Sequence, residues 1–153
     1  MKEILAYRRS LIERLISATD EFCSACLAVN DAFAPLAKGE WNVHQVAVHV
    51  RDVDKLVYGS RARRTAAEEN PEFQNFDGEL YMAEHYSADE PLARILDELQ
   101  DNVQGLAGML RELPAEAWSR VSRHAKLGHG FTLQAWVERD LAHVEDHMQS
   151  VKR

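Results

Sequence analysis

The stretch Asn42-Val43-His44-Gln45-Val46-Ala47-Val48-His49-Val50-Arg51-Asp52-Val53 carries the period that decides the fold. Val46, Val50 and Val53, continued by Val57, recur at steps of three and four, the spacing of one helical face and not of a strand. Asn42 stands where an N-cap belongs, and Gln45, three residues on, completes a capping-box pattern. A helix is therefore predicted from Asn42 to a break near Asn70-Pro71.

The same period returns three times outside this stretch. Ile4, Leu11, Leu15, Ala18, Phe22 and Cys26 trace one stripe and predict a first helix over about Lys2 to Val29, followed by a loop from Asn30 to Glu40. Leu92, Leu96, Leu99, Val103, Leu106 and Leu110 predict a third helix from about Pro91 to Leu113, which Pro114 ends. Thr132 caps a fourth that continues to the last few residues. Ala115 to Trp118 reads as a single turn and Gly128-His129-Gly130 as a tight turn, with no strand pair expected anywhere.

Four amphipathic helices in 153 residues predict an all-α four-helix bundle, one domain spanning residues 1–153. Pro71 to Pro91 holds no sustained period beyond one short helix around Glu79 to His85. That connector is long enough to cover the roughly 30 Å length of a 20-residue helix. The second and third helices are therefore predicted to run parallel, joined by a crossover.

Composition narrows the function classes. The chain is 46% hydrophobic and 28% charged, as ordinary globular proteins are. Its formal net charge of -7 argues against a nucleic-acid partner, which needs a concentrated basic surface. Arg61, Arg63 and Arg64 are read as solvated side chains complementing a helix C-terminal dipole. Cys23 and Cys26 lie inside a helical pattern with no second cysteine pair, so they are read as half-buried core residues. Neither a signal peptide nor an apolar run of about 18 residues is present, and a cytoplasmic protein without a membrane partner is expected.

Helical geometry sorts the seven histidines. His49 lies about 60° from Val46 and about 40° from Val53, inside the apolar arc, whereas His44 lies about 160° from Val46 and should face away from the core. His143 and His147 stand one turn apart, about 40° from each other, on a face shared with Trp136 and Asp140. Two imidazoles so placed can grip one ion, and His49 is the remaining histidine on an apolar stripe. Burying three imidazoles with no shared purpose would cost desolvation for each ring. The set His49, His143 and His147 is therefore predicted to bind one divalent metal ion, zinc or nickel foremost, with a position left open for water or substrate. Asp140 is a candidate to orient His143 or His147 by a hydrogen bond. His124 and His129 flank a loop that can reach the cavity mouth, and His85 reads as a surface residue. Tyr7, Tyr58, Trp41 and Trp136 read as core or rim aromatics.

At this point the chain resembles a known family, the DinB-like metal-binding four-helix bundles. The resemblance rests on Gly39-Glu40-Trp41-Asn42-Val43 leading to His49, on Trp118, His124, Gly128 and Thr132-Leu133, and on the closing His143-Val144-Glu145-Asp146-His147-Met148-Gln149. The last block departs from many members at Val144, where an acidic residue or histidine often follows the first histidine. The resemblance implies an up-down-down-up bundle and a three-histidine metal site that maps onto His49, His143 and His147. It also implies a small-molecule substrate. Characterised relatives include bacillithiol- or mycothiol-dependent transferases, a maleylpyruvate isomerase and hydrolase-like members, so a metal-dependent transferase with a low-molecular-weight thiol cosubstrate is expected. A metal-dependent hydrolase and a non-catalytic metal-binding stress protein are the alternatives, and a homodimer is expected by analogy.

Overall fold

The computed structural model describes all 153 residues. Its first helix, α1, spans Lys2–Ala28, and its buried face carries Leu11, Leu15, Ala18, Phe22 and Cys26. Ile4 alone of the predicted stripe is exposed. The second predicted helix is a continuous rod made of α2 (Val43–Val53), a π-helical turn (Asp54–Tyr58) and α3 (Gly59–Ala67). Both halves of its capping box form: the Gln45 N–H donates to Asn42 Oδ1 at 2.8 Å, and the Asn42 N–H to Gln45 Oε1 at 2.9 Å. The short α4 (Gly78–His85) is capped by Asp77, and α5 (Leu92–Glu112) and α6 (Leu133–Lys152) complete the bundle. The Thr132 hydroxyl accepts the Ala135 N–H at 3.1 Å, fixing the start of α6.

Side-chain pairs give the helix directions. Arg14 meets Glu145 and Lys152 meets Glu21, so α1 and α6 run the same way. Arg111 meets Glu13 while Gln100 meets Asp20, so α5 runs against α1. Arg51 reaches Glu90 and Lys55 reaches Glu98, so the second rod runs parallel to α5. The order is up-down-down-up, with the crossover predicted from the connector. Leu15, Phe22, Val50, Leu99 and Trp136 are fully buried at its centre. Each such side chain contributes about 1.5–3 kcal/mol through apolar area removed from water. No helix is long and apolar enough to cross a membrane.

The expectation of no strands is corrected. β1 (Glu72–Phe73) pairs in parallel with β2 (Val121–His124), which pairs antiparallel with β3 (Gly128–Thr132). Gly128-His129-Gly130 is thus the start of a strand and not the turn, which falls on residues 125–127. The physical reason for the miss is an inverted alternation: Ser122 and His124 point inward while Val121 is exposed, so no apolar period marks β2. The inward serine has a task. Ser122 accepts the Trp136 indole N–H at 2.8 Å and donates to the Phe131 carbonyl at 2.8 Å, tying the sheet to α6.

A candidate metal centre

One turn of α6 presents His143 and His147 inward, and α2 presents His49 against them from the antiparallel neighbour. A ligand atom from each of the three imidazoles lies within 4.8 Å of the other two. His49 Nε2 faces His143 Nε2 at 3.1 Å, and the three ring centroids are 4.5–5.0 Å apart. Trp41 packs on His49 at 5.0 Å and Tyr58 on His143 at 5.7 Å. The ring of His49 is also held from behind by Gly78, where even a methyl group would come to 3.0 Å of the His49 Cε1 atom. That close approach is invisible to any pattern in the sequence.

The electrostatics suit a cation. Burial, with the neighbouring His147, lowers the His49 pKa to about 4. Burial, with His147 and His49, lowers that of His143 to about 3. His147 is lowered too, mainly by burial. All three are neutral at pH 7, the form whose lone pair binds a metal. His143 Nδ1 is buried with no hydrogen-bond partner. A neutral nitrogen-only donor set fits zinc, nickel or another borderline divalent ion. In chelator-treated protein the imidazole NMR signals of His49 and His143 should therefore remain in the neutral form from pH 7 down to about 5. Titration of either ring near the ordinary value of about 6.5 would show that the rings are not buried together.

Other candidate residues fall differently. His44 stays outside the cluster, yet it is 1% exposed and does not face solvent. Its Nδ1 meets the Tyr86 hydroxyl at 2.6 Å, its Nε2 meets the Glu90 carbonyl at 2.7 Å, and Phe33 stacks on it. The helical wheel reports only the bundle core, whereas connectors cover this side of α2. Asp140 makes no hydrogen bond to either histidine. Its carboxylate is buried against Asp54, and desolvation, with the Asp54 charge, raises its pKa well above the carboxylate range. His85 and His129 are exposed. Cys23 and Cys26 are fully rather than half buried, and burial pushes both thiols up to about 12, which removes them from nucleophilic chemistry. Arg63 and Arg64 are exposed, Arg64 pairing with Glu68 as a solvated helix-end residue does.

Arg61 overturns its reading. It is 8% exposed, with its guanidinium 4.8 Å from the Trp136 ring centroid, and it lines a cavity. The π-turn sets it on the side of His49. Arg61 follows His49 by twelve positions, which on an uninterrupted α-helix would separate them by about 120°. Absorbing one extra residue in the turn brings the separation to about 20°, onto one face. Two hollows meet the histidine cluster. One of about 240 Å³ is lined by His49, His143, Tyr58 and Arg61, and another of about 340 Å³ by His147, Trp41 and Glu79.

The model of the DinB superfamily matches residues 11–151. Among solved structures the chain is similar to YfiT from Bacillus subtilis, described as a probable metal-dependent hydrolase with an unusual four-helix bundle topology. The two share 22% sequence identity with a TM-score of 0.83, over 94% of this chain and 83% of YfiT. A search of curated proteins finds no match.

Proposed function

This chain belongs to the DinB superfamily, and from that premise we propose that it is a metal-dependent enzyme, a transferase acting with a low-molecular-weight thiol. The observation that carries the reading is the convergence of three neutral imidazoles where two separate hollows meet. His49, His143 and His147 are the residues that would hold the ion. A divalent ion there would lower the pKa of a thiol or a water molecule, supplying a nucleophile at neutral pH. The protein's own part is to bind and to orient. Trp41 and Gly78 fix the His49 ring, and Tyr58 packs against His143. A transfer between two organic molecules needs room for both beside one centre, and a hollow on each side of the cluster provides it.

A hydrolase is the second reading, favoured by the description of YfiT; it needs one organic substrate and water. Metal analysis of the purified protein, followed by turnover assays with and without a thiol, separates the two. The expected result is about one equivalent of divalent metal per chain and product formation from generic electrophiles only when thiol is present. Ester or amide cleavage without thiol would replace the transferase by the hydrolase. Protein free of metal after growth with added zinc and nickel would remove both.

A further inference from the structure

The hollow beside His49 and His143 has a charge pattern opposite to that of the whole molecule. The chain carries a formal net charge of -7, yet no aspartate or glutamate lines this cavity. Arg61, Arg139 and His124 line it instead. Neither guanidinium is matched to a carboxylate. Arg61 donates through Nη2 to the Gln74 carbonyl at 2.9 Å and lies over Trp136, while Arg139 rests on the rings of Phe131 and Trp136 at the rim. Arg61 Nε and Nη1 are left without protein acceptors.

His124 is set as a third donor. Its Nδ1 accepts the backbone N–H groups of Lys126 and Leu127, both at 3.1 Å. A ring whose Nδ1 accepts must carry its proton on Nε2 when neutral. Burial, then the charges of Arg61, Arg139 and Lys126, lowers the pKa of His124, in keeping with a locally positive field. A cleft lined by one sign of charge concentrates ligands of the other sign.

We infer that Arg61, Arg139 and the Nε2–H of His124 form an oxyanion subsite that takes the carboxylate or phosphoryl group of a small anionic substrate. The inference rests on reading this cavity as the substrate chamber of the three-histidine centre, and it names the class of substrate that chamber selects. Guanidinium forks match the planar pair of oxygens on a carboxylate and serve phosphoryl oxygens equally. A cavity of about 240 Å³ is smaller than the usual ligand site of roughly 300–1,000 Å³, so it suits a compact acid or the anionic end of a longer molecule.

The test uses the full chain, metal-loaded and chelator-treated in parallel, titrated with succinate, inorganic phosphate and neutral succinamide. Calorimetry gives affinities, and NMR follows the arginine Nε–H and His124 Nε2–H signals. Succinate, phosphate or both should bind and shift the Arg61 and His124 signals; succinamide should do neither. Binding by succinate alone assigns a carboxylate, and by phosphate alone a phosphoryl group. Arg139→Gln, at an exposed position, and Arg61→Gln should each weaken the anion at least tenfold while metal content stays at the parent level. Anion affinity unchanged in folded Arg139→Gln and Arg61→Gln would place the anion on the metal and overturn the subsite. Equal binding of succinamide, or no anion binding at all, would overturn it too. If the protein holds no metal but the anion shifts persist in both preparations, the metal reading fails and the subsite stands.

Discussion

Replacing His147 by alanine is expected to reduce bound metal to background and to abolish thiol-dependent turnover, with the far-ultraviolet circular dichroism spectrum unchanged. Losing one of three imidazoles leaves His49 and His143, a pair with far lower affinity for a divalent ion. The helices survive because the apolar stripes bury their surface against one another without the ion. Leu15, Phe22, Leu99 and Trp136 are sealed well inside the bundle, and His147 itself is only half buried. The melting temperature should still fall in samples saturated with metal, because a ligand held by the native state alone stabilises it by mass action. At a metal concentration of about 100 times Kd that term is about 2.7 kcal/mol. In chelator-treated samples this difference should vanish. Metal content at the parent level would show that His147 is not a ligand. Metal lost with thiol-dependent turnover kept would separate the ion from the chemistry.

The second large effect is expected at Gly59, where the π-turn closes. The Gly59 N–H donates to the Asp54 carbonyl, five residues back, and a Cβ atom at this position would stand 2.5 Å from that same oxygen. No side chain can be fitted without moving backbone. Gly59→Ala should therefore destabilise the protein by about 1–3 kcal/mol, the usual range for overpacking. That corresponds to a fall in melting temperature of roughly 2–4 °C per kcal/mol for a chain of this size. Metal content should hold, because His49 precedes the turn and His143 and His147 lie on α6. Thermal melts and metal analysis of the same preparation check both halves. An unchanged melting temperature would mean that the rod relaxes to plain α-helix at no cost.

The bundle was legible because its signals are local and periodic. Val46, Val50, Val53 and Val57 are all buried, the Asn42–Gln45 box closes, and the second rod runs parallel to α5, as the connector length allows. The spacing of His143 and His147 placed both rings on one inward face, and His49 meets them from α2. What escaped the sequence depends on tertiary cover or on a change of helical phase. The inward side chains of β2 are Ser122 and His124, so polarity ran opposite to the usual signal. His44 is buried by Phe33, Tyr86 and the Glu90 carbonyl, all on connectors whose course no wheel contains. Arg61 is buried although its place beside Arg63 and Arg64 near the helix end reads as solvated, because charge clustering says nothing of which face each side chain takes. The facing carboxylates of Asp54 and Asp140 escape for another reason: they come from different elements, and no pattern within either shows that the two meet.

The π-turn also makes the second rod adjustable in two independent parts. His49 lies before it and Arg61 after it. Losing the extra residue lets the rod close to plain α-helix with Arg61 on the same face, whereas rewinding 54–58 as α-helix at unchanged length leaves His49 in place and swings Arg61 by about 100° around the axis. A lineage could thus exchange the wall that faces an incoming molecule in one mutational event, with the histidines untouched and no cavity residue replaced. Selectivity in such a scaffold can diversify through a change of winding as readily as through substitution, and a side-by-side reading of sequences needs a one-residue gap here wherever a shorter relative lacks the turn, so that residues of one face are paired.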